Sequence, residues 1–128
     1  MSLIELDKDT FQESITPEGT LIVDFWAPWC GPCKSFGPIF EKAAEKHTDI
    51  TFAKINTDAQ QELAGALGIR SIPTLMVFRE QVLLFSQPGA LSAGQFEELI
   101  TKIKAVDMEQ VHKDVAAAQA EAAKNDQA

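Results

Sequence analysis

Cys30 and Cys33 are the two cysteines of the chain, and their spacing could support chemistry. They lie in the segment WAPWCGPCK, with Gly31 and Pro32 between them. A pair with this spacing could bind a metal, form a structural disulfide, or exchange electrons as a reversible dithiol. The rest of the sequence distinguishes these possibilities.

A metal site and a structural disulfide both explain the pair poorly. A structural zinc ion needs four ligands, and besides the cysteines the chain has only two histidines, His47 and His112. We therefore expect no bound metal. A disulfide here would close a very short loop, which removes little entropy from the unfolded chain. A chain of 128 residues can also bury a core without such a bridge.

The redox interpretation has positive support from the neighbouring sequence. The run TLIVDFWA at residues 20–27 is typical of a strand buried on both faces, and a helical repeat begins near Cys33. Cys30 therefore lies where free N–H groups and the helix dipole stabilise a thiolate. Pro32 suits the first helical turn, and Gly31 leaves room for another backbone. We infer that Cys30 attacks and Cys33 resolves.

One charged residue, Asp24, interrupts the apolar run of residues 20–27. A carboxylate buried in a central strand without a partner is costly, so its pKa should rise toward neutrality. A carboxyl group that titrates near neutral pH suits a general base. We predict a proton-transfer role for Asp24 beside the cysteine pair, the alternative being a polar residue facing solvent at a strand end.

Alternating strand and helix patterns predict an α/β fold with a mixed sheet flanked by helices. Four helices are expected: one between the first two strands, and three that begin near Cys33, Asp58 and Ser92. Asp58 and Ser92 are the predicted N-caps of their helices. The last two strands form a hairpin whose connection, Glu80-Gln81, lacks the usual Gly or Asn. The predicted strands lie at about residues 2–6, 20–27, 50–56, 74–79 and 82–86.

The composition of the chain changes after about residue 105. We expect one domain over residues 1–105 and a C-terminal extension over residues 106–128. Asp107 is placed to cap a short helix in the extension, which carries a thin apolar stripe. The alanine-rich remainder has little to bury, and we expect it to be a disordered tail.

Composition excludes several classes of partner. The formal net charge is −8, so the chain repels phosphate backbones and anionic lipid, and we expect neither a nucleic acid nor a membrane as partner. No stretch approaches the ~18 consecutive apolar residues of a membrane span. The first residues, MSLIELDKDT, lack the pattern of a secretory signal. We therefore expect a cytoplasmic protein, in a compartment where thiols are kept reduced.

The segment VDFWAPWCGPCK resembles the active-site segment of the thioredoxin family. Further similar segments follow in the family's order, FAKINTD at 52–58, GIRSIPTLMVF at 68–78 and PGALS at 88–92. The resemblance covers about residues 2–105. It implies the thioredoxin fold, in which a central mixed β-sheet carries helices on both faces.

The resemblance implies roles for individual residues. Cys30 matches the family's nucleophile, and Cys33 matches its resolving cysteine. Asp24 matches the buried aspartate that takes the proton of Cys33, and Lys54 matches the lysine that pairs with this aspartate.

The resemblance also implies a substrate-binding surface around the pair. Ile72 and Pro73 match the isoleucine and the cis-proline that face the disulfide. At Thr57, Ser71 and Pro88 the chain departs from residues frequent in the family. The implied substrate-binding residues are Trp29, Gly31, Pro32, Ile72, Pro73 and Gly89.

A member of this family would act as a protein-disulfide reductase that cycles Cys30 and Cys33 between dithiol and disulfide. It binds no cofactor, and its electrons come from NADPH through a flavoprotein thioredoxin reductase. The expected partners are this reductase and disulfide-containing proteins, and we expect a monomer. The alternatives are a chaperone-like or scaffold subunit, disfavoured by the intact cysteine pair, and an exported oxidant or isomerase, disfavoured by Gly31-Pro32.

Overall fold

The computed structural model describes residues 3–126, with side chains over residues 3–124. Its strands are β1 (Leu3–Glu5), β2 (Thr20–Trp26), β3 (Thr51–Asn56), β4 (Thr74–Arg79) and β5 (Val82–Pro88). Its α-helices are α1 (Gly31–Lys46), α2 (Gln61–Ala66), α3 (Ala93–Ala105) and α4 (Met108–Asp126). These elements confirm the predicted α/β architecture.

The five strands form one mixed sheet in the order β1-β3-β2-β4-β5. β1 and β2 run parallel to β3, whereas β4 runs antiparallel to both β2 and β5. β2 lies at the centre and is buried on both faces, as its apolar run predicts. The first predicted strand includes residue 2, which lies outside the described residues.

Successive side chains of β2 point to opposite faces of the sheet. Leu21, Val23 and Phe25 belong to one buried cluster, and Ile22 belongs to the other. Asp24 has the same parity as Ile22, so it faces the side of the sheet that α1 and α3 cover.

Four phenylalanine rings attach α1 and α3 to this face. The ring centroids of Phe36 and Phe96 are 5.3 Å apart, and those of Phe40 and Phe52 are also 5.3 Å apart. All four side chains are fully buried, and each contributes about 1.5–3 kcal/mol through removal from water. The contact fixes both helices on the sheet.

The start of α3 follows the predicted cap. The Ser92 hydroxyl oxygen accepts a hydrogen bond from the N–H of Gln95, and the side-chain oxygen of Gln95 accepts one from the N–H of Ser92. This reciprocal arrangement satisfies two of the free donors at the helix start. The N-cap prediction at Ser92 is therefore confirmed.

The opposite face is covered by α2 and by the segment between β1 and β2. The sequence predicts a helix in this segment, and that prediction is wrong, since only a 3-10 turn at Gln12–Ser14 is present. Leu6 and Phe11 are buried there. The Asp7 carboxylate accepts the N–H of Asp9 and of Thr10, and such a turn competes with the helical hydrogen-bond pattern.

The β4–β5 hairpin turns through Glu80 and Gln81, whose φ angles are +52° and +68°. Two consecutive left-handed residues between paired strands define a type I′ turn, which matches the twist of the strands. Neither residue is Gly or Asn, so the local sequence does not predict this turn type. The strand pairing of Arg79 with Val82 imposes it.

α4 extends the chain beyond the sheet. The Asp107 carboxylate accepts the N–H of Gln110, so it caps this helix as expected. The sequence predicts a short helix followed by disorder, whereas the structure continues one helix to Asp126. Alanine has the highest helix propensity, which favours this continuation without tertiary contacts. Residues 127–128 lie outside the described residues.

α4 is anchored at the β4–β5 turn. Met108 is buried, and the Nε2 atom of His112 lies 2.9 Å from a carboxylate oxygen of Glu80. The Arg79 guanidinium donates to the carbonyl oxygen of Val106 at 3.1 Å. This turn ends β4, whereas the start of β4 lies beside the end of β2 that leads to the cysteines. α4 therefore begins at the end of the sheet remote from the cysteine pair.

Truncation after Val106 should lower the free energy of unfolding by about 1.5–3 kcal/mol, the contribution expected from burial of one methionine side chain. The rate at which the cysteine pair exchanges with a small disulfide should stay unchanged, since α4 begins far from it. Urea unfolding and stopped-flow exchange measure the two quantities. Truncation after Ala118 retains Met108 and His112 and should leave both unchanged. Equal losses in the two truncations would contradict the anchoring contacts.

Candidate active site at the cysteine pair

The cysteine pair lies at the junction of β2 and α1. Cys30 is the N-cap of α1, with an extended backbone, and Gly31 and Pro32 are the first residues of the helix. The predicted helix start beside the pair is confirmed, two residues before Cys33. Pro32 fits there because the first turn of a helix needs no backbone donor from it.

Cys30 and Cys33 are bonded to each other, with Cα atoms 5.2 Å apart. The backbone N–H of Cys33 donates to Cys30 Sγ at 3.2 Å. The two residues are only 4% and 5% exposed, and Ala27 and Ile72 pack against them. In the dithiol form the same N–H and the helix dipole would stabilise negative charge on Cys30 Sγ.

Asp24 is 0% exposed, and neither oxygen of its carboxylate has a hydrogen-bond partner among the described residues. Loss of hydration disfavours the charged form and raises the pKa of Asp24 from 3.8 to about 7, against the opposing charge of Lys54. Its face of β2 is the one covered by α1, which carries Cys33. The arrangement supplies a carboxyl group that can take up or release a proton near neutral pH.

Lys54 lies beside Asp24 across the β2–β3 pair, in direct register. The two side chains make no ion pair or hydrogen bond within the described residues, although the family resemblance implies pairing. The Lys54 ammonium instead lies 4.4 Å from the ring centroid of Trp26. Contact with the face of an indole stabilises the cation, and its charge still lowers the pKa of Asp24.

The Ile72-Pro73 peptide bond is cis. Pro73 is buried, and its carbonyl oxygen accepts the N–H of Gly89 at 2.8 Å. Gly89 has a φ of +111°, which disfavours any other residue type. The Thr74 hydroxyl donates to the carbonyl oxygen of Ser71 at 2.6 Å and holds the same loop. Ile72, by packing against the cysteines, brings this loop to the pair.

Trp29 is 68% exposed at the rim of the pair. Its indole N–H lies 2.9 and 3.2 Å from the two carboxylate oxygens of Asp58. The prediction of Asp58 as the N-cap of α2 is wrong, because Gln60 occupies the N-cap without a side-chain hydrogen bond. The Asn56 side chain accepts the N–H of Asp58 and turns the chain earlier. No local pattern signals the Trp29–Asp58 contact, since 29 residues separate the two.

Comparison with known proteins identifies the family of this chain. The thioredoxin family model matches residues 2–105. The chain belongs to the thioredoxin family. "Putative thioredoxin 2" of Streptomyces coelicolor is 51% identical to this thioredoxin over 121 residues, which cover 94% of this chain and 90% of that protein. The crystal structure of the Malassezia sympodialis thioredoxin Mala s 13 matches with a TM-score of 0.71 and 31% identity, over 78% of this chain and 89% of that one.

Membership of the family defines the general activity. This thioredoxin is a protein-disulfide oxidoreductase, and Cys30 and Cys33 are its redox-active pair. Thioredoxins need no bound cofactor and act with thioredoxin reductase and disulfide-containing proteins. Within residues 3–126, no group of three or more His, Cys, Asp or Glu side chains could hold a metal ion. None of the helices in this range has the length and apolar character needed to cross a bilayer.

The raised pKa of Asp24 predicts an unusual dependence of stability on pH. Between pH 4 and 7 Asp24 holds its proton more fully in the folded than in the unfolded state, so this group makes stability fall as the pH rises. Asp24→Asn should remove that loss. Relative to pH 4, the variant should gain roughly 4 kcal/mol over wild type by pH 8, at about 1.4 kcal/mol per pH unit of the window.

Urea unfolding of the oxidised proteins at several pH values measures this difference. Asp49→Asn is a matched control, because the hydrogen bond from Lys104 lowers the pKa of Asp49. The contribution of Asp49 is therefore fully present above its unfolded pKa of 3.8, so the difference between Asp49→Asn and wild type should stay nearly constant from about pH 5 to pH 8. A difference between Asp24→Asn and wild type that stays constant from pH 4 to pH 8 would contradict the buried titration.

Proposed function

We propose that this thioredoxin is a cytoplasmic reductase of protein disulfides, recharged from NADPH by a flavoprotein thioredoxin reductase. The observation that carries the proposal is the position of Cys30 at the start of α1, with the N–H of Cys33 directed at its sulfur. This geometry favours the thiolate, and the thiolate is the attacking species in disulfide exchange.

In the first step, the Cys30 thiolate attacks one sulfur of a substrate disulfide. A new Cys30–substrate disulfide forms, the substrate S–S bond breaks, and one substrate sulfur leaves as a thiolate. The helix start stabilises the attacking charge on Cys30, whereas Cys33 lies inside the first turn of α1 and keeps its thiol for the second step.

In the second step, Cys33 gives its proton to the Asp24 carboxylate and attacks Cys30 Sγ. The Cys30–Cys33 disulfide forms, and the second substrate sulfur leaves as a thiolate, so two electrons have passed to the substrate. A carboxyl group with a pKa of about 7 accepts this proton readily and releases it again near neutral pH. We assign Lys54 an electrostatic role, because its charge keeps Asp24 from titrating at still higher pH.

The substrate-binding surface surrounds the exposed rim of the pair. We propose that an extended substrate segment pairs with the backbone of Ile72, which packs against the cysteine cluster beside the cis-proline Pro73. Pro73 has no N–H, and its carbonyl oxygen already accepts the N–H of Gly89. The surface also includes the exposed indole of Trp29 and the first turn of α1, with Gly31 and Pro32. Its last member is Gly89, whose N–H is hydrogen-bonded to the carbonyl oxygen of Pro73.

The electrons that restore the dithiol must come from a partner, because disulfide reduction consumes the only redox-active pair that this chain contains. We propose that NADPH reduces the flavin of the reductase. The reductase then reduces the Cys30–Cys33 disulfide of this thioredoxin by thiol–disulfide exchange. A reducing compartment suits this cycle, which supports the cytoplasm. A single set of Cys30 and Cys33 completes the exchange within one chain, so we propose a monomer.

Coupled oxidation of NADPH tests the proposed cycle. With a thioredoxin reductase and insulin, wild type should consume NADPH continuously, and Cys30→Ser should consume none, because it lacks the attacking sulfur. Cys33→Ser should accumulate a mixed disulfide that non-reducing electrophoresis detects, since nothing resolves it. Absence of turnover by wild type would contradict the reductase assignment.

Asp24→Asn should slow the second step at least about tenfold near pH 7, because general-base catalysis typically contributes about 10²–10⁴-fold. The intrinsic fluorescence of Trp26 and Trp29 can report formation of the Cys30–Cys33 disulfide in stopped flow. The wild-type rate should change around pH 7, and the variant should lose that inflection. Asp49→Asn, which alters an exposed carboxylate, should retain the wild-type profile. A wild-type profile in Asp24→Asn would remove Asp24 from the mechanism.

A further inference from the structure

A cleft of about 320 Å³ opens beside the cysteine pair. Trp29 directly precedes Cys30, and Ile72 packs against the buried cluster that contains Cys30 and Cys33, so two lining residues of the cleft adjoin the pair. Its volume lies near the lower end of the range for small-molecule sites, which suits one side chain rather than a folded segment. It is lined by Trp29, Thr57, Ile69, Arg70, Ser71 and Ile72.

The walls of the cleft are held in place by hydrogen bonds. Asp58 binds the indole N–H of Trp29 and fixes one wall. The Thr74 hydroxyl binds the carbonyl oxygen of Ser71 and fixes the loop that forms the other wall. The cleft is therefore formed before any ligand enters, which reduces the entropy lost on binding.

The polar residues that line the cleft differ in whether their hydrogen-bond donors are already occupied. Thr57 directs its hydroxyl and its N–H to the carbonyl oxygen of Trp26, at 3.1 and 2.8 Å, so its donors are occupied. Arg70 is exposed and makes no hydrogen bond or ion pair with the described residues. Among the six lining residues it alone is charged. Its guanidinium offers five donors in a planar fork that matches a carboxylate.

We propose that the cleft is a specificity subsite in which Arg70 binds an acidic side chain next to the disulfide cysteine of a substrate protein. The inference rests on the proposed reductase function, because the ligand is part of the segment that Cys30 attacks. In an extended segment, the residues one and two positions from the attacked cysteine lie about 3–7 Å along the chain. That distance brings one of them to the mouth of the cleft.

Charge determines the order of preference. Glutamate can accept a charge-assisted, bidentate hydrogen bond from Arg70, glutamine only a neutral one, and lysine is repelled. Asp58 does not line the cleft, and both of its oxygens lie within hydrogen-bond distance of Trp29. The net charge of −8 repels acidic substrates at long range. Arg70 attracts an acidic side chain only over a short distance, and added salt weakens this attraction because it screens exposed charges.

The test uses three synthetic peptides that carry the same disulfide and differ at one position beside the cysteine, as Glu, Gln or Lys. The protein is reduced with dithiothreitol, the reductant is removed, and exchange rates are measured by stopped-flow fluorescence. Wild type should prefer Glu over Lys by about three- to tenfold, since partly exposed charge pairs have modest energies. Arg70→Gln should lose this preference, and Arg70→Glu should reverse it.

Lys42→Gln is the matched control for removal of one positive charge. Lys42 is exposed on α1, nine residues beyond Cys33, or about 13 Å along the helix. The control should keep the wild-type preference. The subsite is overturned if Arg70→Gln keeps the preference, or if Lys42→Gln loses it equally. Equal wild-type rates with all three peptides also overturn it and leave the reductase proposal intact, whereas no reaction with any peptide overturns both.

Discussion

The packing of four phenylalanine rings between α1, α3 and the sheet determines where the cysteine pair lies. Phe36 and Phe40 belong to α1, and their rings contact those of Phe52 on β3 and Phe96 on α3. Because α1 is held through these rings, its first turn is also held at the carboxyl end of β2. The N–H of Cys33 in that turn then faces Cys30 Sγ, a direction that favours negative charge on this sulfur.

The same face of the sheet carries buried polar groups whose burial lowers the stability of the fold. The Asp24 carboxylate oxygens and the indole N–H of Trp26 are buried and lack hydrogen-bond partners among the described residues. The charged form of Asp24 costs roughly 4 kcal/mol near neutral pH, a large part of the about 5–15 kcal/mol by which domains are stable. Lys54 offsets only part of this cost. A buried carboxyl group with a perturbed pKa is typical of functional sites, and this supports the proposed proton transfer by Asp24.

The sequence predicts those elements whose signals are local. The apolar run of β2, the helical period of α1 and the capping box at Ser92 each involve residues within a few positions of one another. The failures occur where local and long-range interactions compete. Asp58 has the right type for an N-cap, yet it binds Trp29. The hairpin at Glu80-Gln81 is predicted correctly, but its type I′ geometry follows from the pairing of the strands and not from the turn residues.

The sequence by itself determined the reaction chemistry of this thioredoxin. Two thiols at a helix start are a local fact and suffice for disulfide exchange, and the carboxyl group in the buried strand is a local fact that supports the proposed proton transfer. Only the tertiary structure decided what surrounds that chemistry: the Trp29–Asp58 contact, the cleft lined by the exposed Arg70, and the anchoring of α4 at the hairpin. The reason is that these neighbours lie far apart in the chain, and the order of strands in the sheet brings them together.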